Sequence, residues 1–259
     1  MTKKKLALLL SGLMLLSACS APGETAGSVS AAAPVSGSVS VEAEASSEEA
    51  LKTVATITLS GDSITVSGNG ATVNGTTVTI TQPGNYDISG ELSDGQIIVD
   101  AGKEDNVYLT LSGASITCSN SAPIYVKEAS TAVVMLADGT ENYISDGEVY
   151  VLDEGEDEPD AAIFSKADLR FTGSGKLTVE GNYNMAVHGK DSVYFDSDGT
   201  YDILSAGDGV KGKDRVSIAD DVNLTITAGE DGIQSTNKKD ASLGDVSISG
   251  GTVSITARK

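Results

Sequence analysis

A spacing of about 23 residues, held in register through four successive units, is the feature that most constrains this chain. Ala162-Ile163, Ala186-Val187, Gly209-Val210 and Gly232-Ile233 are matching anchors separated by 24, 23 and 23 residues. Leu169 and Phe171 match Val193 and Phe195, then Val216 and Ile218. Leu177 and Val179 match Tyr201 and Ile203, then Leu224 and Ile226. Each unit thus carries three short segments with alternate residues apolar, the period of a half-buried strand. One unit cannot bury its apolar face alone, whereas stacked units share a continuous core. The spacing predicts an all-β solenoid, a single-stranded parallel β-helix of three sheets, with about 23 residues per coil and coils about 4.8 Å apart. An antiparallel sandwich has no reason to keep three apolar pairs in register over successive units.

Short β-rich stretches punctuated by Gly, Asn or Asp begin at Val54, so the folded domain is placed at 54–259, with about eight or nine coils at this period. Aromatic residues make up only 4% of the chain, in keeping with a core of aligned medium-sized side chains. Lys plus Arg number 17 against 37 Asp plus Glu, a formal charge of −20. That charge repels phosphate backbones and excludes a nucleic-acid-binding surface. A hydrophobic content of 39% excludes a wholly disordered chain.

Ahead of the repeats, Lys3 to Lys5 precede the apolar run Leu6 to Leu16, too short for a bilayer span and suited to a signal-peptide core. Leu16-Ser17-Ala18-Cys19 resembles a bacterial lipobox, which makes residues 1–19 a lipoprotein signal and Cys19 the lipidated residue. The expectation is a secreted lipoprotein held at the cell membrane through Cys19 and facing the exterior. Residues 20–53 are almost only small and polar and are expected to form a flexible tether. Cys118 then has no partner and is expected as a small packing residue.

Between Ser145 and Ala161 lies an insertion, 146–160, with eight acids and no base. Such a run suits a solvated excursion; the rival is a loop ordered by calcium, which clustered carboxylates can bind.

Gly95-Gln-Ile-Ile-Val-Asp-Ala-Gly102, Ser121-Ala-Pro-Ile-Tyr-Val126 and Ala161-Ala-Ile-Phe-Ser-Lys166 resemble a family of secreted carbohydrate-binding proteins, as do Asp153-Glu-Gly-Glu-Asp-Glu-Pro159, Ala206-Gly-Asp-Gly-Val-Lys-Gly-Lys-Asp214 and Ala228-Gly-Glu-Asp-Gly-Ile233. The resemblance spans residues 54–257. It implies a right-handed, pectate-lyase-like parallel β-helix with bound calcium. It also implies binding to cellulose and to acidic pectic polysaccharide such as polygalacturonate, without an assigned lyase activity. Two departures stand out. Asn182-Tyr-Asn-Met-Ala-Val187 lacks the usual Gly-containing turn, and Ile255-Thr-Ala257 is followed by Arg258-Lys259 instead of another coil. The latter suggests truncation at the C-terminus.

Register turns the repeats into columns. Asp208 and Asp231 precede successive anchor glycines, with Glu230 adjacent, and Asp191 and Asp214 form a second column. Carboxylates one coil apart repel by about 1 kcal/mol in water and about 3.5 at an effective dielectric of 20. Calcium would relieve that repulsion, making these five acids the candidate metal ligands; the alternatives are plain turn-forming Asp before Gly and, for the second column, a salt-bridge ladder with Lys190 and Lys213. Phe164, His188, Lys211 and Gln234 share an outward column, and Lys166, Lys190 and Lys213 another two residues on. With Tyr194 and Arg215 nearby, His188, Lys190, Lys211 and Lys213 form the candidate carbohydrate-binding strip, to which galacturonate carboxylates would bind directly or through calcium. His188 fits no metal or triad pattern and is expected at the surface. Three functions stay open: a calcium-dependent polysaccharide binder, a pectate lyase with Lys190, Lys211, Lys213 or Arg215 as base, and a structural adhesin. No catalytic residue stands out.

Overall fold

The computed structural model describes residues 52–258, so the expected signal, Cys19 and most of the tether lie outside the described residues. All of its regular elements are strands. The first ten are β1 (Thr53–Gly61), β2 (Ser63–Gly68), β3 (Ala71–Asn74), β4 (Thr77–Ile80), β5 (Gly84–Leu92), β6 (Gln96–Asp100), β7 (Asn106–Cys118), β8 (Ile124–Glu128), β9 (Thr131–Leu136) and β10 (Glu141–Asp146). After the insertion come β11 (Ala161–Ser165), β12 (Asp168–Gly173), β13 (Lys176–Gly181), β14 (Met185–Gly189), β15 (Ser192–Asp196) and β16 (Thr200–Ser205). The chain continues through β17 (Val210–Gly212), β18 (Arg215–Ala219), β19 (Asn223–Ala228), β20 (Ile233–Ser235), β21 (Asp245–Ile248) and β22 (Thr252–Ala257).

The anchors meet as their spacing requires. Ile163 pairs with Val187, Val187 with Val210, and Val210 with Ile233, all in parallel. The other two segments follow suit, Phe171 pairing with Phe195 and Val179 with Ile203. From β9 onward each strand therefore pairs with the strand three elements later, one coil along the stack.

Hydrogen bonding gathers the strands into two sheets, of 14 and 8 strands, where three were expected. The reason lies in β7, whose 13 residues run without a break through what later coils split into two segments. Val107, Leu109 and Leu111 point inward, and Ala114, Ile116 and Cys118 resume the inward face after Gly113. Gly113 has φ +77°, and beside it the register with β5 shifts between Ile88 and Gly90. An extra residue of this kind is a bulge, which bends the strand without ending it. The buried Asn142 satisfies the corner, its Oδ1 accepting from the N–H groups of Gly113 and Ala114 at 3.0 and 2.8 Å.

Alternate residues of both sheets fill one core. Phe171 and Phe195 stack across adjacent coils with centroids 4.6 Å apart, and the Tyr201 edge meets Phe195 at 5.1 Å. Aromatic pairs of this geometry add about 0.5–1.5 kcal/mol beyond the area they bury. Burial pushes the Tyr201 phenol up to about 12, while its hydroxyl stays paired with Ser197 at 2.9 Å. Cys118 is buried, as a packing residue should be. At the N-terminal end two antiparallel hairpins, β1–β2 and β3–β4, cover the first coil. At the other end Val246, Ile248 and Ile255 are 44%, 53% and 45% exposed.

Candidate functional site

The outer face of the eight-stranded sheet carries the column anticipated from the repeats and extends it. Strand pairing places Ile98, Tyr125, Phe164, His188, Lys211 and Gln234 in one row. Beside it, Val126 pairs with Ser165 and the Lys166 N–H donates to the Val126 carbonyl, so Lys127 belongs with the lysine column. Tyr125 and Lys127 escaped the sequence reading because the insertion lengthens the Tyr125–Phe164 interval beyond the period. Continuing the column backward across that insertion would have found them.

The acidic insertion folds down onto the middle of this face. The expected solvated excursion holds for Glu148, Val149, Val151 and the tip, Asp153 to Asp157, which are exposed. The rest is pinned by apolar packing. Tyr150 stacks on Tyr183 with centroids 4.1 Å apart and joins a buried cluster with Ala122, Ala161, Phe164 and Met185. Its hydroxyl donates to Asp146 Oδ2 at 2.7 Å. Asp146 Oδ1 accepts from the Asn182 N–H at 2.5 Å. Polar contacts complete the attachment. Asp160 Oδ1 lies 2.6 Å from His188 Nδ1, and Glu158 reaches both Lys190 and, at 3.6 Å, Lys166. His188 is consequently buried, 6% exposed, and the expectation of a surface histidine is corrected. The loop covers it, and nothing in the spacing of the repeats revealed where the loop would land.

The proposed strip is also divided between sheets. His188 and Lys211 lie on the eight-stranded sheet, Tyr194 and Arg215 on the other, and Lys190 and Lys213 in the turns between. Arg170 lies over the Tyr194 ring at 4.0 Å and pairs with Asp196 at 2.5 Å. Arg215 pairs with Asp245 at 3.1 Å, and Lys213 lies 3.7 Å from Asp214. Lys211 has no ion pair among the described residues.

The acids behave differently from a calcium cage. Asp208 Oδ1 accepts the Asp231 N–H from the next coil at 3.0 Å, and Asp231 Oδ2 accepts from Gln234 Nε2 at 2.8 Å. Glu230 is exposed. Asp94 and Asp168 likewise accept the N–H groups of Ser119 and Ser192, one coil on, at 2.8 and 3.0 Å. These carboxylates close the corners of the stack by taking up backbone donors that the turns leave unpaired. Asp214 Oδ1 accepts from Asn237 Nδ2 at 2.7 Å, and Asp191 sits close to Asp168 and Asp214. Among the described residues no three His, Cys, Asp or Glu side chains converge to hold a metal ion. A calcium site built from these side chains alone does not fit.

Burial raises the Asp146 carboxyl above its usual range against the donors that surround it. Asp191 is raised by burial first and then by the Asp168 charge. Both therefore hold a proton more tightly folded than unfolded. Their stabilising contribution is full below the ordinary value of 3.8 and is lost as pH rises through the raised folded values. The melting temperature should accordingly climb as pH is lowered from neutral into that window. Asp191→Asn should climb less steeply, and equal slopes in thermal melts would refute the assignment.

A family model described as carbohydrate-binding domain-containing protein matches residues 74–259. A carbohydrate-binding domain-containing protein of Acetivibrio thermocellus is 45% identical over 111 residues, 42% of this chain. The match spans 39% of the length of that curated relative. Among solved structures, the polysaccharide lyase-like protein from C. thermocellum, a gadolinium derivative, aligns with a TM-score of 0.76 at 37% identity. That alignment covers 79% of this chain and 83% of the other.

Proposed function

The chain belongs to the family of carbohydrate-binding domain-containing proteins, and we propose that it binds acidic polysaccharide of the polygalacturonate type on the outer face of the eight-stranded sheet. The observation that carries this is Lys211, half-buried on that face, in line with the strip and free of any ion pair among the described residues. An ammonium held on a rigid strand without a counter-ion suits a ligand carboxylate. Lys213, at the following turn and half-exposed, adds a second ammonium, one already 3.7 Å from the Asp214 carboxylate. The stacked units are read as turns of a right-handed β-helix, a reading supported by the coil-to-coil register and by the polysaccharide lyase-like relative. Calcium enters as a bridge between ligand carboxylates and single protein carboxylates such as Asp214, since no side-chain cage is present among the described residues. The N-terminal pattern ending in Cys19 supports export and lipid anchorage.

A binder should be retained on immobilised polygalacturonate, less so with chelator, and should generate no unsaturated ends. Lys211→Ala with Lys213→Ala should lower that retention about tenfold or more, as expected when two charge-assisted contacts go. Unchanged retention rejects the strip. The relative's lyase-like description favours a second reading, elimination with Lys211 as base; a calcium-dependent rise in ultraviolet absorbance would establish it.

A further inference from the structure

The lysine column beside the eight-stranded sheet is divided by what covers it. Ser165 pairs with Gly189 and Gly189 with Gly212, so Lys166, Lys190 and Lys213 take the same place in three successive coils. A carboxylate of the insertion caps the first two. Glu158 touches Lys190 with one oxygen and Lys166 with the other, and it is the only acid paired with either lysine among the described residues. Two residues on, Asp160 Oδ1 lies 2.6 Å from His188 Nδ1. The side chains of Glu158 and Asp160 are only 17% and 20% exposed, whereas the tip just before them stands in solvent.

Resting on the reading of this face as a uronate surface, we propose that the insertion is an autoinhibitory strap, in which Glu158 and Asp160 stand in for ligand carboxylates and keep the Lys166–Lys190 stretch closed. Glu158 makes the contact that a uronate would make, a carboxylate held by ammonium groups. Successive coils present those groups about 4.8 Å apart, and a polyuronate carries a carboxylate on every sugar. A chain seated at Lys213 therefore competes with Glu158 for the next two lysines. The closed strap also repels that chain. Asp153, Glu154, Glu156 and Asp157 are exposed, and no ion pair among the described residues neutralises them. Opening does not require a sheet to unzip, because the segment between β10 and β11 joins neither one. A ligand that needs the open state binds with its affinity reduced by the fraction of molecules that are open. The strap thus sets a threshold for engaging the middle of the face while leaving the Lys211 end accessible.

Calorimetric titration of the full chain with decagalacturonate, at fixed calcium, tests this. Glu158→Gln with Asp160→Asn, which removes the strap's charges where they are seated, should tighten binding about tenfold or more. Glu154→Gln with Glu156→Gln removes the same charge from the tip without freeing a lysine and should tighten it less than about threefold. Adding Lys166→Ala and Lys190→Ala to the Glu158/Asp160 variant should abolish the gain. Tyr150→Ala, which detaches the strap at its other fastening, should reproduce the gain and decides the matter if the Glu158/Asp160 variant fails to fold. Equal tightening by the two charge pairs, a gain that survives loss of both lysines, or no gain on release would overturn the strap. Wild-type binding that depends on Lys211 and Lys213 but does not respond to release sinks this inference alone. Failure of both the wild type and the released variants to bind sinks the reading of the whole face.

Discussion

Tyr150→Ala should unfasten the acidic insertion while the stack beneath it stays folded. The substitution removes a ring stacked on Tyr183 and strips the buried Asp146 carboxylate of its hydroxyl donor. Large aromatic truncations cost about 3–5 kcal/mol, and an orphaned buried acceptor adds about 1–3 more. Even about 3 kcal/mol corresponds to an open loop populated roughly a hundredfold more often. A Glu-specific protease should then cut within 153–158 at least tenfold faster than in the wild type. Tyr150→Phe, which keeps the ring, should fall between the two. Equal cleavage rates would show that the tyrosine does not hold the loop. Release also frees Lys166 and Lys190 from Glu158, so polygalacturonate retention should rise as the loop departs.

Phe195→Ala strikes the core. The ring is fully buried, stacked on Phe171 and edged by Tyr201. Its loss should cost about 3–5 kcal/mol. Because each coil leans chiefly on its neighbours, the damage should be directional. The coils containing β18 to β22 should unfold first in urea, giving two transitions where the wild type gives one. Hydrogen exchange would place the early transition. One sharp transition at the wild-type midpoint would refute nearest-neighbour coupling at this coil.

The stacking was legible in the sequence where the period was constant. Ile163, Val187, Val210 and Ile233 pair as their spacing demanded, and the alternation of Leu169 and Phe171 with their counterparts placed the core. Legibility failed where length varied. The continuous corner at Gly113 joins two of the expected sheets, because a bulge preserves apolar alternation while changing its phase. His188 was misplaced because a loop's landing point depends on tertiary contacts that periodicity does not encode. A signal was nevertheless present. Val149-Tyr150-Val151-Leu152 is an apolar quartet inside an acidic run, and a purely solvated excursion has no use for Tyr150 or Leu152. The acidity also changed meaning. Part of it serves the corners, where Asp94, Asp168 and Asp208 take N–H groups from the next coil, and no cation is required for that role.

The hydrogen bonds between coils run along the long axis of the stack, a direction with mechanical meaning. Tension applied along that axis loads the coils in series, so the weakest interface yields first. Each coil of about 23 residues can then pay out about 75–80 Å of extended chain. The antiparallel hairpins at the N-terminal end are loaded differently, since β1 is gripped by β2 on one side and β5 on the other. A stack built this way lengthens coil by coil under load.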